Sequence, residues 1–283
     1  MTEVRLRRMI LAAAAMLAFS APATAAPQDG APLGVGYTIA FWALPFGHTH
    51  YDGKVTPDSY SAKMHFETSG VVSLFWKSKI DATVNGKIAS RSITPVVYDS
   101  YSQDRDKPVQ RVKVSFDGTM PETLAEPPYN TTKYPVTDEQ KKNTLDPMSA
   151  LTAILSGVRV TSSDPCGTGV QVFDGRRRYD VTFTYKKDEH VELSNGMFNG
   201  TAHLCQIHYN QIAGYKQKIV KEGKKLPDMF VYFADVPAPG TPNGHYVVAL
   251  KLWASLTLGT VTATLDDLKV AGAVPAGFNA VKS

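Results

Sequence analysis

The chain has 283 residues, 43% of them hydrophobic and 20% charged, and a formal net charge of +4. Without residues 1–25, which carry three Arg and one Glu, that charge falls to +2. So weak a positive balance on an ordinary globular composition excludes the concentrated basic face of a nucleic-acid-binding protein and the charge-rich, apolar-poor make-up of a disordered one.

At the N-terminus Arg5, Arg7 and Arg8 precede an apolar run over residues 9–19, followed by Ser20, Ala21, Pro22 and the small residues Ala23, Thr24 and Ala25. A basic start, a short apolar stretch and an A-x-A site predict a cleaved signal peptide over residues 1–25. The apolar run is about half the roughly 20 residues that span a bilayer. With no Cys beside the cleavage site, the expected product is a soluble periplasmic protein that is not membrane-spanning, with one β-rich domain over residues 26–283.

From residue 35 onward period-2 alternation dominates. Tyr37, Ile39 and Phe41 alternate with Thr38 and Ala40, and Val112, Val114 and Phe116 alternate with Arg111, Lys113 and Ser115. Such strands have one apolar and one wet face, as in an antiparallel sheet packed on one side. Asn85-Gly86 predicts a two-residue hairpin turn, with Asp174-Gly175, Asn199-Gly200 and Asn243-Gly244 as weaker turns of the same kind. Residues 121–143, rich in Pro and polar side chains, are expected to form a loop or crossover between strand groups at about 35–120 and 168–268. One helix, about 147–156, is predicted by Asp146 as cap, Pro147 at the first turn, the apolar residues Met148, Leu151, Ile154 and Leu155, and Gly157 as its stop. Its apolar stripe would lie in the concave face of the sheet. The expected fold is mainly β: an antiparallel open or spiral β-barrel, or half-barrel, with one short core helix.

Cys166 and Cys205 are the only cysteines. In an oxidising compartment an even pair is expected to form a disulfide, while a two-Cys zinc site would normally show a close C-x-x-C pair. His48 and His50 share a strand face and are the candidate metal ligands, with His65 and His245 as third ligands only by elimination; the alternative is a polar strand end. No metal or other cofactor is expected. Arg176 and Arg178, on one strand face, with Tyr179 beside them, are the candidate anchor for an anionic headgroup, and the structural alternative is a turn at Asp174-Gly175 with one Arg paired to an acidic neighbour. Lys216, Lys218, Lys221, Lys224 and Lys225 form a Lys-rich loop. Phe41, Trp42, Phe46, Phe75, Trp76 and Trp253 are candidates to line an apolar cavity. No G-x-S-x-G elbow, H-E-x-x-H or P-loop occurs, so no catalytic residue is nominated.

The segment from Leu145 to Leu151, the stretch Val172-Phe173-Asp174-Gly175-Arg176-Arg177-Arg178-Tyr179, and Cys205 followed by Tyr209 and Gly214 together resemble the bacterial exported family called domain of unknown function 3108. The resemblance implies a signal peptide, a β-rich body and no established enzymatic activity. More loosely the chain is similar to periplasmic envelope-integrity proteins and half-barrel lipoprotein carriers. The expected function is non-enzymatic: binding an amphipathic or lipid ligand, or a partner protein, in support of cell-envelope integrity. The alternatives are a metal-assisted hydrolase acting on envelope polymers and a purely structural scaffold.

Overall fold

A computed structural model describes residues 30–89, 91–161, 163–216 and 227–279. The predicted signal peptide lies outside the described residues, as does the Lys-rich cluster apart from Lys216.

Among the described residues thirteen strands form one antiparallel sheet. In chain order they are β1 Ala31–Phe41, β2 Leu44–Val55, β3 Ser59–Thr68, β4 Ser78–Ala89, β5 Ser92–Asp104, β6 Gln110–Asp117, β7 Met120–Glu126, β8 Val170–Phe173, β9 Arg178–Glu192, β10 Asn199–Ala213, β11 Met229–Pro237, β12 His245–Leu256 and β13 Gly259–Val270. Their spatial order is β7-β6-β5-β4-β3-β2-β1-β13-β12-β11-β10-β9-β8. The sheet is thus two meanders joined where the first strand pairs with the last, Leu33 opposite Val270 and Phe41 opposite Val261. The outer strands β7 and β8 do not pair with each other. They nevertheless approach: a Cβ added at Gly175, in the β8–β9 turn, would stand 2.7 Å from Val112 Cγ1 and 3.1 Å from Thr123 Cγ2. The sheet is a curled, unclosed half-barrel.

The crossover between the meanders carries two helices, α1 Asp138–Lys141 and α2 Pro147–Leu155. The Asp146 side chain accepts from the backbone N–H of Met148 (2.9 Å) and Ser149 (2.8 Å) and from the Ser149 hydroxyl. These contacts satisfy helix-terminal donors that water cannot reach, since Asp146 is fully buried. Burial pushes its carboxyl up to about 6, against the helix N–H groups that favour the charged form. Gly157 ends the helix at φ +65°, and a Cβ there would meet His245 Nε2 at 3.1 Å. Two tyrosines pin α2 to the concave face: Tyr51 Oη lies 2.9 Å from Thr152 Oγ1, and Tyr60 Oη lies 2.6 Å from Ser149 Oγ. The crossover also covers the free edge of β8, where the Leu145 N–H donates to Gln171 O and the Phe173 N–H to Leu145 O.

Because the strands alternate in direction, their connections gather on two rims. The first carries the β1–β2, β3–β4, β5–β6, β8–β9, β10–β11 and β12–β13 connections; the end of α2, beside His245, lies at the second. Inward residues toward the second rim, such as Leu33, Val55, Tyr60 and Leu250, are buried in the main core. Toward the first rim Met64, Phe66, Ile80, Ile207, Met229 and Leu252 are only half-buried. Cys166 and Cys205 are bonded across 39 positions, tying the segment after α2 to β10 beside Val231, Phe233 and Val247.

Several expected turns lie elsewhere. Asn85-Gly86 is not a hairpin turn but the interior of β4, where Asn85 faces Val97 and Gly86 faces Pro95 across a register shift. Gly86 is there for space: a Cβ would stand 2.5 Å from both Thr94 O and Tyr60 Oη. Asn199-Gly200 opens β10, and the turn before it uses Gly196 at φ +76°. The turns at Asp174-Gly175 and Asn243-Gly244 form as expected, with positive φ at both glycines. The stretch expected to be all loop contains β7, whose Pro121 sits on an edge strand that needs no outward N–H.

Two outcomes test this packing. Asp146→Ala should cost about 2 kcal/mol or more of unfolding free energy, because a cap is lost and the buried Ser149 hydroxyl loses one of its two partners, and Asp146→Asn should cost clearly less; urea denaturation reads both. The Cys166→Ala, Cys205→Ala double variant should lose up to about 4 kcal/mol, the loop-closure entropy of a bridge of this span, seen as an earlier urea midpoint.

Candidate functional site

The half-buried residues of the concave face enclose a cavity of about 360 Å³. Its floor is α2, through Leu151, Ile154 and Leu155, and its walls come from both meanders, among them Val35, Met64, Phe183, Ile207, Met229 and Phe233. The lining is almost wholly apolar; Thr49, Tyr37, Tyr51 and Tyr209 contribute to it, with the Tyr51 hydroxyl turned to Thr152 and the Thr49 hydroxyl to His65 O. Burial pushes the Tyr51 phenol up to about 12 and that of Tyr37 above its ordinary range, so both stay neutral at physiological pH. The cavity exists because α2 is short: it fills the concave face only toward the second rim.

The aromatic residues expected to line such a cavity do not. Trp42, Phe75 and Trp76 are exposed on the first rim, and Trp253 stacks against Phe230 at 5.5 Å and packs beside Tyr232. Aromatic content signals apolar surface but not which surface; the lining comes mainly from aliphatic residues at inward strand positions, which alternation identifies only once the concave face is known.

Arg176, Arg178 and Tyr179 separate. Arg176 lies in the β8–β9 turn, exposed, with its guanidinium 5.1 Å from the Tyr129 ring. Arg178 is buried, donating to Gln140 O at the end of α1, to Tyr179 O and to Asp180 Oδ1 at 2.5 Å. Tyr179 packs inward against Tyr209 at 4.8 Å, and its phenol is raised well above the ordinary range by burial and by Asp174. The shared strand face expected for Arg176 and Arg178 does not form, because β9 begins only at Arg178. Asp174 accepts the Arg176 and Arg177 N–H groups and closes the turn, and Arg178 pairs with an acidic neighbour. The residue that sequence reasoning passed over is Arg177. It is exposed, its guanidinium lies 5.6 Å from the Tyr215 ring, and the Tyr215 hydroxyl meets that of Tyr209 at 2.5 Å. Tyr209 in turn lines the cavity. A larger cleft of about 820 Å³ runs along the seam between β7 and the β8–β9 turn, lined by charges of both signs including Glu122, Asp138, Lys141 and Arg176.

Each candidate histidine lies near a carboxylate. His48 Nδ1 is 3.3 Å from Thr38 Oγ1 and 3.8 Å from Asp266, while His50 Nε2 is 3.1 Å from Asp52 Oδ1. His65, directly across from His50, binds Asp81 at 2.7 Å. His245 lies apart from these, beside Gly157 and Asp235. Among the described residues, no group of three or more His, Cys, Asp or Glu side chains is placed to hold a metal ion.

Fold and site together define an antiparallel half-barrel whose concave face is half filled by a capped helix and half open as an apolar cavity. The chain belongs to the family described as "Protein of unknown function (DUF3108)", whose model matches residues 36–266. It is also similar to a solved structure, the beta-barrel-like protein of domain of unknown function DUF1849 from Brucella abortus, with 10% identity, a TM-score of 0.48 and coverage of 86% of this chain and 98% of that one. No curated protein matches the chain. Among the described residues no helix is long and apolar enough to cross a membrane.

One titratable cluster outside the cavity has a measurable signature. Asp235 and Asp188 flank His203, at 3.8 and 2.5 Å, and raise its pKa to about 9 from 6.5. A raised histidine stabilises the fold fully below about pH 6.5 and loses that contribution as pH rises through about 9. The unfolding free energy should therefore fall between pH 6.5 and 9.5, and His203→Gln should flatten that fall in denaturant titrations.

Proposed function

We propose that this is a non-catalytic periplasmic protein that binds an amphipathic lipid, with one apolar chain in the cavity above α2, in support of the cell envelope. The cavity itself carries the proposal. A sealed, empty apolar cavity of about 360 Å³ would cost on the order of 9 kcal/mol at about 24 cal/mol per Å³, as much as a whole domain's stability. The cavity is not sealed: its lining residues toward the first rim, among them Met64, Ile207, Met229 and Leu252, are only half-buried, so that side is the open one. A hydrocarbon chain entering there gains roughly 25 cal/mol for each Å² of wall and chain removed from water. Volume and apolar lining suit a hydrocarbon chain.

Arg177 supports an anionic headgroup. Through Tyr215 and Tyr209 it is linked to the cavity lining, and an exposed guanidinium can bind a carboxylate or phosphate in bidentate fashion without the cost of uncovering a buried charge. Export is supported by the tripartite N-terminal sequence and by the Cys166–Cys205 bond, which suits an oxidising compartment.

Native mass spectrometry of the purified protein should detect co-purifying lipid, and a fluorescent alkyl-carboxylate probe should bind with a 1:1 stoichiometry. Ala249→Leu and Ala263→Leu, both of which intrude on the cavity, should weaken probe binding by about tenfold or more at the cost of roughly one hydrophobic contact area. Arg177→Gln should weaken the anionic probe while sparing a neutral alkyl probe. A protein that carries no lipid and takes up neither probe, or one whose binding survives both leucine substitutions, ends the proposal.

A further inference from the structure

The four most exposed large hydrophobic side chains, Phe75, Leu258, Leu74 and Trp42, stand together on one rim, while others such as Val96, Leu124 and Val274 are exposed singly elsewhere. Trp42, Leu44, Leu74, Phe75, Trp76 and Leu258 are between 47% and 81% exposed, and all come from three neighbouring connections on the first rim: the β1–β2 turn, the 3-10 turn Gly70–Leu74 with the residues after it, and the β12–β13 turn. Single exposed hydrophobics are ordinary, whereas a contiguous set on one edge of a fold marks a surface that meets something apolar.

These tips are held together. The Trp42 N–H donates to Thr260 O at 2.8 Å, and a Cβ added at Gly259 would stand 2.1 Å from Trp42 Nε1, so the indole lies directly on the β12–β13 turn. The Ser69 N–H donates to Phe46 O at 2.8 Å, and the rings of Phe46 and Trp76 are 6.2 Å apart, which joins the 3-10 turn to β2. Arg105, in the β5–β6 connection, spends its guanidinium on Leu74 O (3.0 Å) and on Phe75 O. Trp42 has φ +53°, in the left-handed region that a two-residue hairpin turn usually gives to Gly or Asn. A bulky residue kept exposed in a disfavoured backbone conformation is not explained by folding.

We propose that the first rim is a membrane-contacting surface, which seats Trp42, Phe75, Trp76 and their aliphatic neighbours at the headgroup–acyl boundary of an anionic bilayer. Three features favour lipid over another macromolecule. The apolar residues sit on separate turn tips, which enter a fluid interface singly, and Trp, Phe and Leu are the side chains that partition there. Exposed Lys77 and Lys107 flank the tips, with Arg177 and Lys216 farther along the rim; Lys107 pairs with Asp104 at 3.5 Å, and the exposed acids Glu67, Asp106 and Asp228 share this rim, so cations able to meet anionic headgroups stand within a fringe of both signs. Finally, the cavity opens toward this same rim, so a chain leaving the bilayer reaches the apolar walls without crossing water. This last feature rests on the proposed lipid binding; the first two do not.

The test is sedimentation with vesicles of phosphatidylethanolamine and phosphatidylglycerol, against vesicles of phosphatidylcholine alone. The protein should partition onto the anionic vesicles and more weakly onto the neutral ones. Its fluorescence should shift to the blue and be quenched by brominated acyl chains, since two of its three tryptophans lie on the rim. The double variant Trp42→Ser, Phe75→Ser should partition about tenfold less or worse, having lost two inserting rings, while its thermal midpoint and its uptake of the alkyl probe in vesicle-free buffer stay unchanged. Lys77→Glu with Lys107→Glu should abolish the preference for anionic vesicles. Probe uptake without vesicle binding would overturn the membrane rim and leave the cavity proposal standing; vesicle binding without probe uptake would do the reverse. Vesicle binding that survives the double variant, or a self-association that the double variant abolishes in place of vesicle binding, would also overturn it.

Discussion

The structure depends on where α2 is held. A nine-residue helix has too little internal stability to choose its own position, so its place is fixed by contacts that the sheet provides. Buried Asp146 closes its first turn, and the Tyr51 and Tyr60 hydroxyls meet Thr152 and Ser149 along its length. Each of these polar groups lies away from water, where a missing partner costs more than a formed bond contributes. The helix therefore cannot slide toward the first rim without exposing or orphaning them, and that side of the concave face stays unfilled. The cavity follows from the length of the helix and from its anchoring at one end.

The pairing of β1 with β13 has a matching role. It turns two meanders into one sheet wide enough to curl around α2, and it brings inward residues from both chain ends, Val35 and Ala263 among them, to the same cavity. At the outer edges the sheet avoids open pairing in two ways: β8 is covered by the crossover through Leu145, and β7 carries Pro121, Glu122 and Glu126. The candidate metal-ligand histidines belong to the polar side of this arrangement. His65 pairs with Asp81 across β3 and β4, His50 meets Asp52 two positions on in its own strand, and His48 reaches toward Asp266 across β1.

Cavity and first rim are continuous, which gives the molecule a polarity along the strands. Toward the second rim it is a packed core of buried aliphatic side chains around α2. Toward the first it becomes half-buried, then apolar and exposed at the turn tips. A domain built only for stability would bury those tips or make them polar. Membership of a family of unknown function leaves the chemistry to be argued from these surfaces.

Local physics was legible in the amino-acid sequence. Alternation identified strands such as β1 and β6, Asp146-Pro147 and Gly157 bracketed the helix to within a residue, and an even pair of cysteines with an expected oxidising compartment anticipated the bond between Cys166 and Cys205. Each of these signals lies within a few residues or in the cysteine count, so no partner in space is needed to interpret it. Where expectations failed, a distant residue usually decided the outcome: Gly86 serves the Tyr60 ring instead of a turn, and β7 is a strand because β6 offers it an edge. Arg176 and Arg178 part for a local reason, because the β8–β9 turn ends between them. Most of all, the sequence supplied Trp42, Phe75 and Trp76 without saying which surface they would occupy. The curl of the sheet around α2 settled that, since hydrophobicity is a property of a residue and burial is a property of its neighbours.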